Sequence, residues 1–353
     1  MRTGEQHGLH CPACGGALSW WRCVRASEPS LGATRFELRR CVSCGSAVTI
    51  GDAPPGLHDT GAYRAGRPRL HRVAGPALRA FDHRRLALLG TLAAPPARLL
   101  DAGAGRGRFV AAARAAGYDA SGIEPSWRGS GEAGSGLGAT VPLGGGGGSP
   151  GGGGGSPGGG GGSPGGGAGS PGGAGAVVQG VSIERAQIPA GSLNAVTLWH
   201  VLEHLDDPAG ALERLRTWLA PGGALLVGVP NLASVQASIG GGRWYHLDVP
   251  RHRVHYTPAG VHALLAAHGF VVLSTHHLLL EHNPFGMWQS LVNRVTRDPS
   301  YLYNLLKRNA PLRSWDLVIT ALALPLAPLA AVGELGAGVA GRGGTIAVLA
   351  RRR

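Results

Sequence analysis

The stretch LLDAGAGRGRFV, residues 99–110, decides the fold. The segment at 97–100 is predicted to be a short strand, and residues 109–116 a helix that ends at Gly117. The glycines between them allow a tight turn and let the backbone approach a ligand closely. The first N–H groups of the helix have no partners within it and are available to that ligand. The stretch therefore predicts a strand, a ligand-binding turn and a helix.

The alternation of strand and helix continues towards the carboxyl terminus. Further strands are predicted at 120–123, 195–199, 224–229, 270–279 and 345–350, and further helices at 208–219 and 261–268. The sequence Pro-Gly-Gly at 221–223 is predicted to be a turn before one of these strands. Repeated alternation of this kind predicts an α/β fold with a parallel sheet and helices on both faces.

The glycine spacing differs from the dinucleotide-binding pattern G-x-G-x-x-G. After Gly103 and Gly105 the chain has Gly107 and Arg108, so the third glycine of that pattern is misplaced. An aspartate at the strand end, Asp101, followed by three alternating glycines instead resembles motif I of the class I S-adenosylmethionine (SAM)-dependent methyltransferases.

Three further segments resemble the same family, in the same order along the chain. LNAVTLWHVLEHLDDP at 193–208 is similar to its fourth strand and the helix that follows, and LAPGGALLVGVPN at 219–231 to the next turn and fifth strand. RWYHLDVPRHRVHYTP at 243–258 resembles its substrate loop. The resemblance implies a Rossmann-like class I methyltransferase sheet that transfers a methyl group from SAM to a small-molecule acceptor. One departure is Asn194, where the family usually has Asp.

The resemblance also implies roles for the residues around the donor. The loop glycines that would admit the methionine end of SAM are Gly103, Gly105 and Gly107. Asp101 would orient that loop and the amine of SAM, and Glu124, at the end of the second strand, would bind the ribose hydroxyls. His200, at the end of a later strand, would line the donor pocket.

Two cysteine pairs precede this region. CPAC at 11–14 and CVSC at 41–44 are separated by 26 residues, and each pair is followed by a glycine, as in zinc-ribbon knuckles. Four thiolates at this spacing suit tetrahedral Zn²⁺, and four cysteine ligands leave no open position, so the zinc is expected to be structural. The expected ligands are Cys11, Cys14, Cys41 and Cys44. Such a ribbon resembles those that precede some sugar C-methyltransferases and natural-product enzymes, which favours sugars and secondary metabolites as acceptors.

Histidines are concentrated in the second half of the chain. His200, Glu203 and His204 form H-x-x-E-H, a formal match to inverted zinc-protease motifs. A protease would need both histidines on one face of a helix and a further ligand downstream. The motif instead starts directly after a predicted strand inside the methyltransferase-like block, so the protease hypothesis is not favoured.

The segment at 243–258 contains the candidates for a general base. His246, His252 and His255 follow the fifth strand, and ligands bind beyond the carboxyl ends of strands in such sheets. A histidine there could accept a proton from an acceptor hydroxyl or amine. We favour His252, because the arginines on either side of it could hold an anionic substrate group and keep the imidazole neutral. A purely structural role in ordering the loop is the alternative.

The segment 317–333 is uncharged and contains two prolines. Its 17 residues are few for a transmembrane helix, which needs about 20. The sequence favours a buried or amphipathic insert between the last two strands, with peripheral membrane contact as the alternative, because basic residues flank the segment. In the second case the acceptor would be a lipid-linked precursor.

Composition narrows the class of protein further. The net charge of +13 comes from 32 Arg and one Lys spread along the chain, which does not favour nucleic acid as a partner. All five cysteines lie before residue 45 and the chain opens with a polar segment, so a cytoplasmic location is expected. Glycine accounts for 27 residues of 129–175, and the repeat GGGGGSP there predicts a disordered insert without function. Oligomeric state is not predicted.

The predicted organisation has five parts. They are a zinc-ribbon-like domain at 1–60, a basic helical linker at 61–95, a methyltransferase core at 96–280 with an insert at 129–176, an apolar helical insert at 281–341 and a last strand at 342–353. The alternative function is a non-catalytic module that keeps the fold and binds a partner through the ribbon and the linker. The intact glycine motif and Glu124 argue against it, because a module without catalysis does not need a donor site.

Overall fold

The computed structural model describes residues 10–57, 71–126, 178–281 and 283–353. Its strands are β1 (Leu18–Arg25), β2 (Arg35–Cys41), β3 (Ala47–Thr49), β4 (Arg98–Ala102), β5 (Asp119–Ile123), β6 (Val178–Gln179), β7 (Leu193–Trp199), β8 (Leu219–Pro230), β9 (Val254–His255), β10 (Phe270–His276) and β11 (Thr345–Arg352). The predicted insert at 129–176 and the start of the predicted linker, 61–70, lie outside the described residues.

The helices connect these strands and cover the sheet. They are α1 (His71–Gly90), α2 (Arg108–Ala115), α3 (Pro208–Trp218), α4 (Val235–Gly240), α5 (Pro258–Ala267), α6 (Asn283–Val292), α7 (Tyr301–Leu306), α8 (Ser314–Ala323) and α9 (Ala327–Val339). Three of them, α3, α4 and α5, begin after an Asp, Ser or Thr whose side chain accepts a backbone N–H of the first turn.

The main sheet has seven strands in the order β10-β11-β8-β7-β4-β5-β6. The strands from β8 to β6 are parallel to one another, whereas β11 is antiparallel to both of its neighbours. The central strands carry continuous apolar runs because helices cover both faces of the sheet. Fully buried side chains in these runs are Leu100, Val196, Leu198, Leu225 and Val227. The predicted Rossmann-like class I methyltransferase sheet is thus confirmed.

The sheet corrects one local prediction. The Pro-Gly-Gly sequence at 221–223 is not a turn that precedes a strand, because β8 already begins at Leu219. Leu193 pairs with Leu219 and Ala195 with Ala224, so the extra residues form a bulge inside β8. Gly222 has a φ of +76°, a value that glycine adopts at no steric cost.

A second, four-stranded sheet has the order β1-β2-β3-β9. Its first three strands come from the cysteine-rich segment, but β9 comes from the loop after β8 and pairs antiparallel with β3 through Ala47 and Val48. Hydrogen bonds extend this junction, since Thr257 Oγ1 donates to the Cys44 carbonyl at 2.7 Å. The cysteine-rich segment therefore packs directly on the predicted substrate loop.

Candidate functional site

The glycine loop lies between β4 and α2, where the sequence places it. Gly103, Gly105 and Gly107 all have positive φ, at +85°, +53° and +75°. A Cβ on Gly103 would collide with Val201 Cγ2, so only glycine fits beneath that side chain. A Cβ on Gly105 would meet no atom within 4 Å, so the loop borders open space at this position. The loop therefore has the shape and the free volume that a bound ligand needs.

Asp101 lies beneath this loop at the end of β4. Its side chain is buried, and Thr197 Oγ1 on the neighbouring β7 donates a 2.6 Å hydrogen bond to Asp101 Oδ1. Burial raises the pKa of the carboxyl group to about 6, although the hydrogen bond from Thr197 opposes that rise. Asp101 therefore titrates much closer to neutrality than an ordinary aspartate does.

Glu124 lies at the opposite edge of the loop, directly after β5. Gly105 N donates to Glu124 Oε2 at 3.1 Å, and the amide and hydroxyl of Ser126 donate to Oε1 at 3.1 and 2.7 Å. The structure thus brings together the carboxylate and the glycine loop that the sequence predicts to share the donor. Both lie at the carboxyl end of the parallel strands, where α/β sheets bind ligands.

His200 follows β7 in a left-handed conformation, with a φ of +55°. Its Nδ1 lies 3.0 Å from Glu203 Oε1. Its ring lies parallel to the ring of His246, with 6.3 Å between the ring centroids. The predicted pocket residue and one of the three predicted bases therefore lie side by side at the edge of the sheet.

The other two predicted bases, His252 and His255, form contacts away from His200. His252 is buried, and its Nδ1 lies 2.8 Å from the His246 carbonyl. His255 lies in β9, with its Nε2 3.0 Å from Thr49 Oγ1 of the cysteine-rich sheet. Burial, together with the nearby His252, lowers the pKa of His255 to about 3, so this imidazole is neutral at physiological pH.

Both arginines beside His252 are paired with carboxylates. Arg251 forms ion pairs with Glu28 and with Asp248, the latter at 2.7 Å, and Arg253 pairs with Asp206 at 2.8 Å. The sequence proposed these guanidinium groups as partners for an anionic substrate. In the structure their ion pairs instead connect the loop after β8 to carboxylates of the protein itself.

The H-x-x-E-H motif does not form a helix with two histidines on one face. Leu202–His204 is a short 3₁₀ turn after β7, and α3 begins only at Pro208. The geometry that a zinc protease requires is therefore lacking in this segment.

The four paired cysteines converge at one point. The Sγ atoms of Cys11 and Cys44 are 3.7 Å apart, and those of Cys14 and Cys41 are 3.5 Å apart. Tetrahedral coordination with Zn–S bonds of about 2.3 Å requires sulfur atoms separated by about 3.8 Å. Although burial raises the pKa of Cys41, backbone N–H groups of Cys44 and Ser43 lower it to about 7 overall. The donor set fits a tetrahedral cation, and Cys23 stays apart as an exposed free thiol.

Sequence reasoning missed a charged network beside the donor loop. Arg85 on α1 donates to Glu281 at 2.6 Å and lies 4.0 Å above the Trp199 ring, while Arg108, the first residue of α2, pairs with Asp82. The partners are up to 196 positions apart in the chain. No spacing pattern could have indicated them.

Comparison with known proteins agrees with the fold. A family model described as "Methyltransferase domain" matches residues 71–275, which is more than half of the chain. The chain therefore belongs to this family and is a SAM-dependent methyltransferase of class I. No curated protein matches the chain.

Solved structures of methyltransferases also match. A SAM-dependent methyltransferase from Archaeoglobus fulgidus is 15% identical, with a TM-score of 0.41 over 78% of this chain and 94% of that one. A SAM-dependent methyltransferase from Mesorhizobium loti is 15% identical, with a TM-score of 0.40 over 79% of this chain and 97% of that one.

Proposed function

We propose that this methyltransferase acts on a small molecule that carries a hydroxyl or an amine, such as a sugar, a secondary metabolite or a lipid-linked precursor. The observation that carries the donor half of this proposal is the Glu124 carboxylate bonded to Gly105 N at the open edge of the glycine loop. Incubation of cell extracts with isotopically labelled SAM and the purified protein, followed by mass spectrometry, tests the acceptor half. Label in protein or nucleic acid alone would contradict it.

Each residue around the loop has a proposed role. When bound, SAM supplies an electrophilic methyl group on a sulfonium centre. Gly103, Gly105 and Gly107 hold its methionine end, ionised Asp101 orients the loop and the amine, Glu124 accepts the ribose hydroxyls, and His200 closes the pocket. The protein's main contribution is alignment of the acceptor with the methyl group and exclusion of water.

An acceptor hydroxyl or amine must lose a proton, and a histidine of the loop after β8 is proposed to accept it. The parallel ring contact with His200 favours His246, whereas the hydrogen bond to Thr49 holds His255 away from the sheet edge. His246→Gln should lower turnover by about 10²–10⁴ with SAM affinity unchanged. His255→Gln is the matched control, and equal losses in both variants would contradict this assignment.

The four-cysteine cluster is proposed to hold one structural Zn²⁺. The sulfur separations and the two knuckle glycines, Gly15 and Gly45, both with a φ of +73°, support this. The ion would hold together a segment of three short strands that has little core of its own.

The carboxyl-terminal helices are proposed to rest on a membrane surface. By length and composition, Ser314–Val339 is the one helical stretch among the described residues that could cross a membrane. Its apolar side chains are instead divided between two faces. One face packs on Met287 and Trp288 of α6, and the other is open to solvent, with Leu322 at 71% and Leu329 at 70% exposed.

The charges of this segment favour an anionic bilayer as its partner. Its two acids are buried on the protein side, where Asp316 accepts from Arg297 N at 2.7 Å and Glu334 from Gly344 N at 2.7 Å. The solvent face therefore carries no acid. Exposed Arg308 and Arg342 flank the segment in the chain, as does Arg313, which pairs with Asp298 at 2.8 Å. An apolar face with a basic rim suits the cytoplasmic, anionic leaflet of a membrane.

The alternative function, a non-catalytic module that binds through the ribbon and the basic linker, makes a different prediction. Such a module would bind no SAM. Calorimetric titration with SAM distinguishes the two, because micromolar binding is expected only of the enzyme.

A further inference from the structure

We infer that Glu203, His204 and His252 form a second cation site, separate from the four cysteines, for a first-row divalent metal ion such as Zn²⁺ or Co²⁺. One ligand atom from each of the three side chains lies within 4.8 Å of the other two. They come from two segments, the 3₁₀ turn after β7 and the loop that leads to β9. The main chain joins these segments, since Arg253 N donates to the Glu203 carbonyl at 2.7 Å.

Both imidazoles have a backbone carbonyl as the partner of one ring nitrogen, as metal-bound histidines commonly do. His204 Nδ1 lies 3.2 Å from the Arg251 carbonyl, and His252 Nδ1 lies 2.8 Å from the His246 carbonyl. A carbonyl oxygen can only accept, so in each ring Nδ1 carries the proton and Nε2 carries the lone pair. In a metal-bound histidine, the ring nitrogen that does not bind the metal usually donates its hydrogen to a backbone carbonyl or a similar acceptor. The two rings meet edge to face, with 4.7 Å between their centroids.

Glu203 supplies a carboxylate that lacks a full set of partners. The residue is only 1% exposed, and its Oε1 lies 3.0 Å from His200 Nδ1. Its Oε2 is buried and has no hydrogen-bond partner among the described residues. A buried carboxylate oxygen without a donor is rare in folded proteins, and a bound cation would satisfy it.

Two imidazole nitrogens and one carboxylate oxygen define the class of ion. This set suits Zn²⁺ and its first-row neighbours better than Mg²⁺ or Ca²⁺, which prefer oxygen ligands throughout. Three protein ligands leave at least one coordination position open for water or an acceptor oxygen. The cation would fasten the loop carrying His246 to the end of β7, beside the donor site.

This inference changes the role of His252. An imidazole nitrogen bound to a metal has no lone pair with which to accept a proton, and the other nitrogen already holds its hydrogen towards a carbonyl. His252 is then a ligand and not the general base that its flanking arginines suggest.

Metal analysis of the full-length protein tests the inference. After equilibration with Zn²⁺ and removal of free ion, we expect about two zinc ions per chain in the wild type and about one in Glu203→Gln or His252→Asn. The matched control is Glu213→Gln, which alters a Glu–His pair on the exposed surface, with 3.6 Å to His268, and should keep about two. Circular dichroism checks that each variant folds.

Cobalt substitution assigns each ion to its site. Co²⁺ bound to thiolates absorbs strongly in the near ultraviolet, whereas Co²⁺ bound to nitrogen and oxygen does not. Glu203→Gln should lose one cobalt ion and keep the full thiolate band. One ion per chain in the wild type, all of it bound to thiolates, would overturn the second site even if both variants failed to fold. Equal metal content in the wild type and in folded variants would also overturn it. A missing thiolate band would count against the cysteine site alone.

Discussion

Thr197 Oγ1 donates a hydrogen bond of 2.6 Å to Asp101 Oδ1, directly across the pairing of β7 with β4. This one bond stabilises the ionised form of a carboxylate that burial disfavours, and burial dominates, so the pKa of Asp101 is about 6. At neutral pH the protein thus keeps a buried negative charge beneath the donor loop, and this charge lowers the free energy of unfolding. Such a cost is expected where the charge serves binding.

Because of Asp101, SAM binding should strengthen as the pH rises, whereas the folding stability of the protein should fall. Between about pH 4 and pH 6 the folded protein holds a proton that the unfolded chain has released, so stability falls as pH rises through 6. Asp101→Asn should therefore raise the free energy of unfolding at pH 7 by up to about 3 kcal/mol and weaken SAM binding. Urea titration and calorimetry at pH 5 and pH 7 measure both effects. A variant that loses stability at pH 7 would contradict this account of the buried charge.

Loss of the Glu124 carboxylate should weaken SAM binding by about 1–3 kcal/mol, because the ribose hydroxyls lose a charged acceptor. Glu124→Ala is the test and Glu184→Ala, on the exposed surface, is the control. Isothermal titration with SAM and with its demethylated product gives both affinities. Unchanged affinity in Glu124→Ala would remove this residue from the donor site.

Zinc removal should loosen the substrate loop as well as the cysteine-rich segment. Thr257, just after β9, bonds the Cys44 carbonyl, and β9 itself is the outer strand of the ribbon sheet. Cys41→Ser should therefore lower zinc content by about one ion per chain. It should also speed hydrogen exchange at residues 251–257, whereas Cys23→Ser should do neither. Fast exchange confined to residues before 50 would show that the two parts are independent.

Loss of apolar side chains on the solvent face of α8 and α9 should weaken membrane binding. Wild-type protein should float with vesicles that contain phosphatidylglycerol, more at low salt than at high salt. The double variant Leu322→Ser/Leu329→Ser should bind at least about tenfold more weakly, since each buried leucine contributes about 1.5–3 kcal/mol. Trp20→Ser, which changes an exposed apolar residue of β1, is the control. The membrane proposal would be contradicted if the wild type formed a dimer in solution and bound no vesicles, and the double variant were monomeric. In that case a second copy of the chain would cover this face.

Deletion of residues 144–173 should leave folding and SAM binding nearly unchanged. This repeat consists almost entirely of Gly, Ser and Pro and has very little apolar surface to bury, and the cost of closing a loop changes only logarithmically with its length. Circular dichroism and calorimetry of the deletion variant provide the measurement. Cooperative loss of structure would mean that the repeat packs against the fold.

Local patterns predicted most of the main sheet and the donor loop. The turn after β4 requires glycine at Gly103, Gly105 and Gly107 for steric reasons. This requirement involves only neighbouring residues, so the sequence around the turn is enough to predict it. The spacing of the cysteines within each pair is local in the same sense. The turn signal at 221–223 was wrong in detail, because pairing with β7 carries the strand through the glycines as a bulge.

Only the tertiary structure decided which distant residues meet. Pairing of β9 with β3, the bond from Thr197 to Asp101, and the approach of His252 to Glu203 join segments that are 49 or more positions apart. The periodicity of apolar residues indicates the face of a helix or strand on which a residue lies. It does not indicate which residue from a distant part of the chain will contact it. The pKa of Asp101 depends on that packing, because its carboxyl group loses contact with water only when the folded sheet surrounds it.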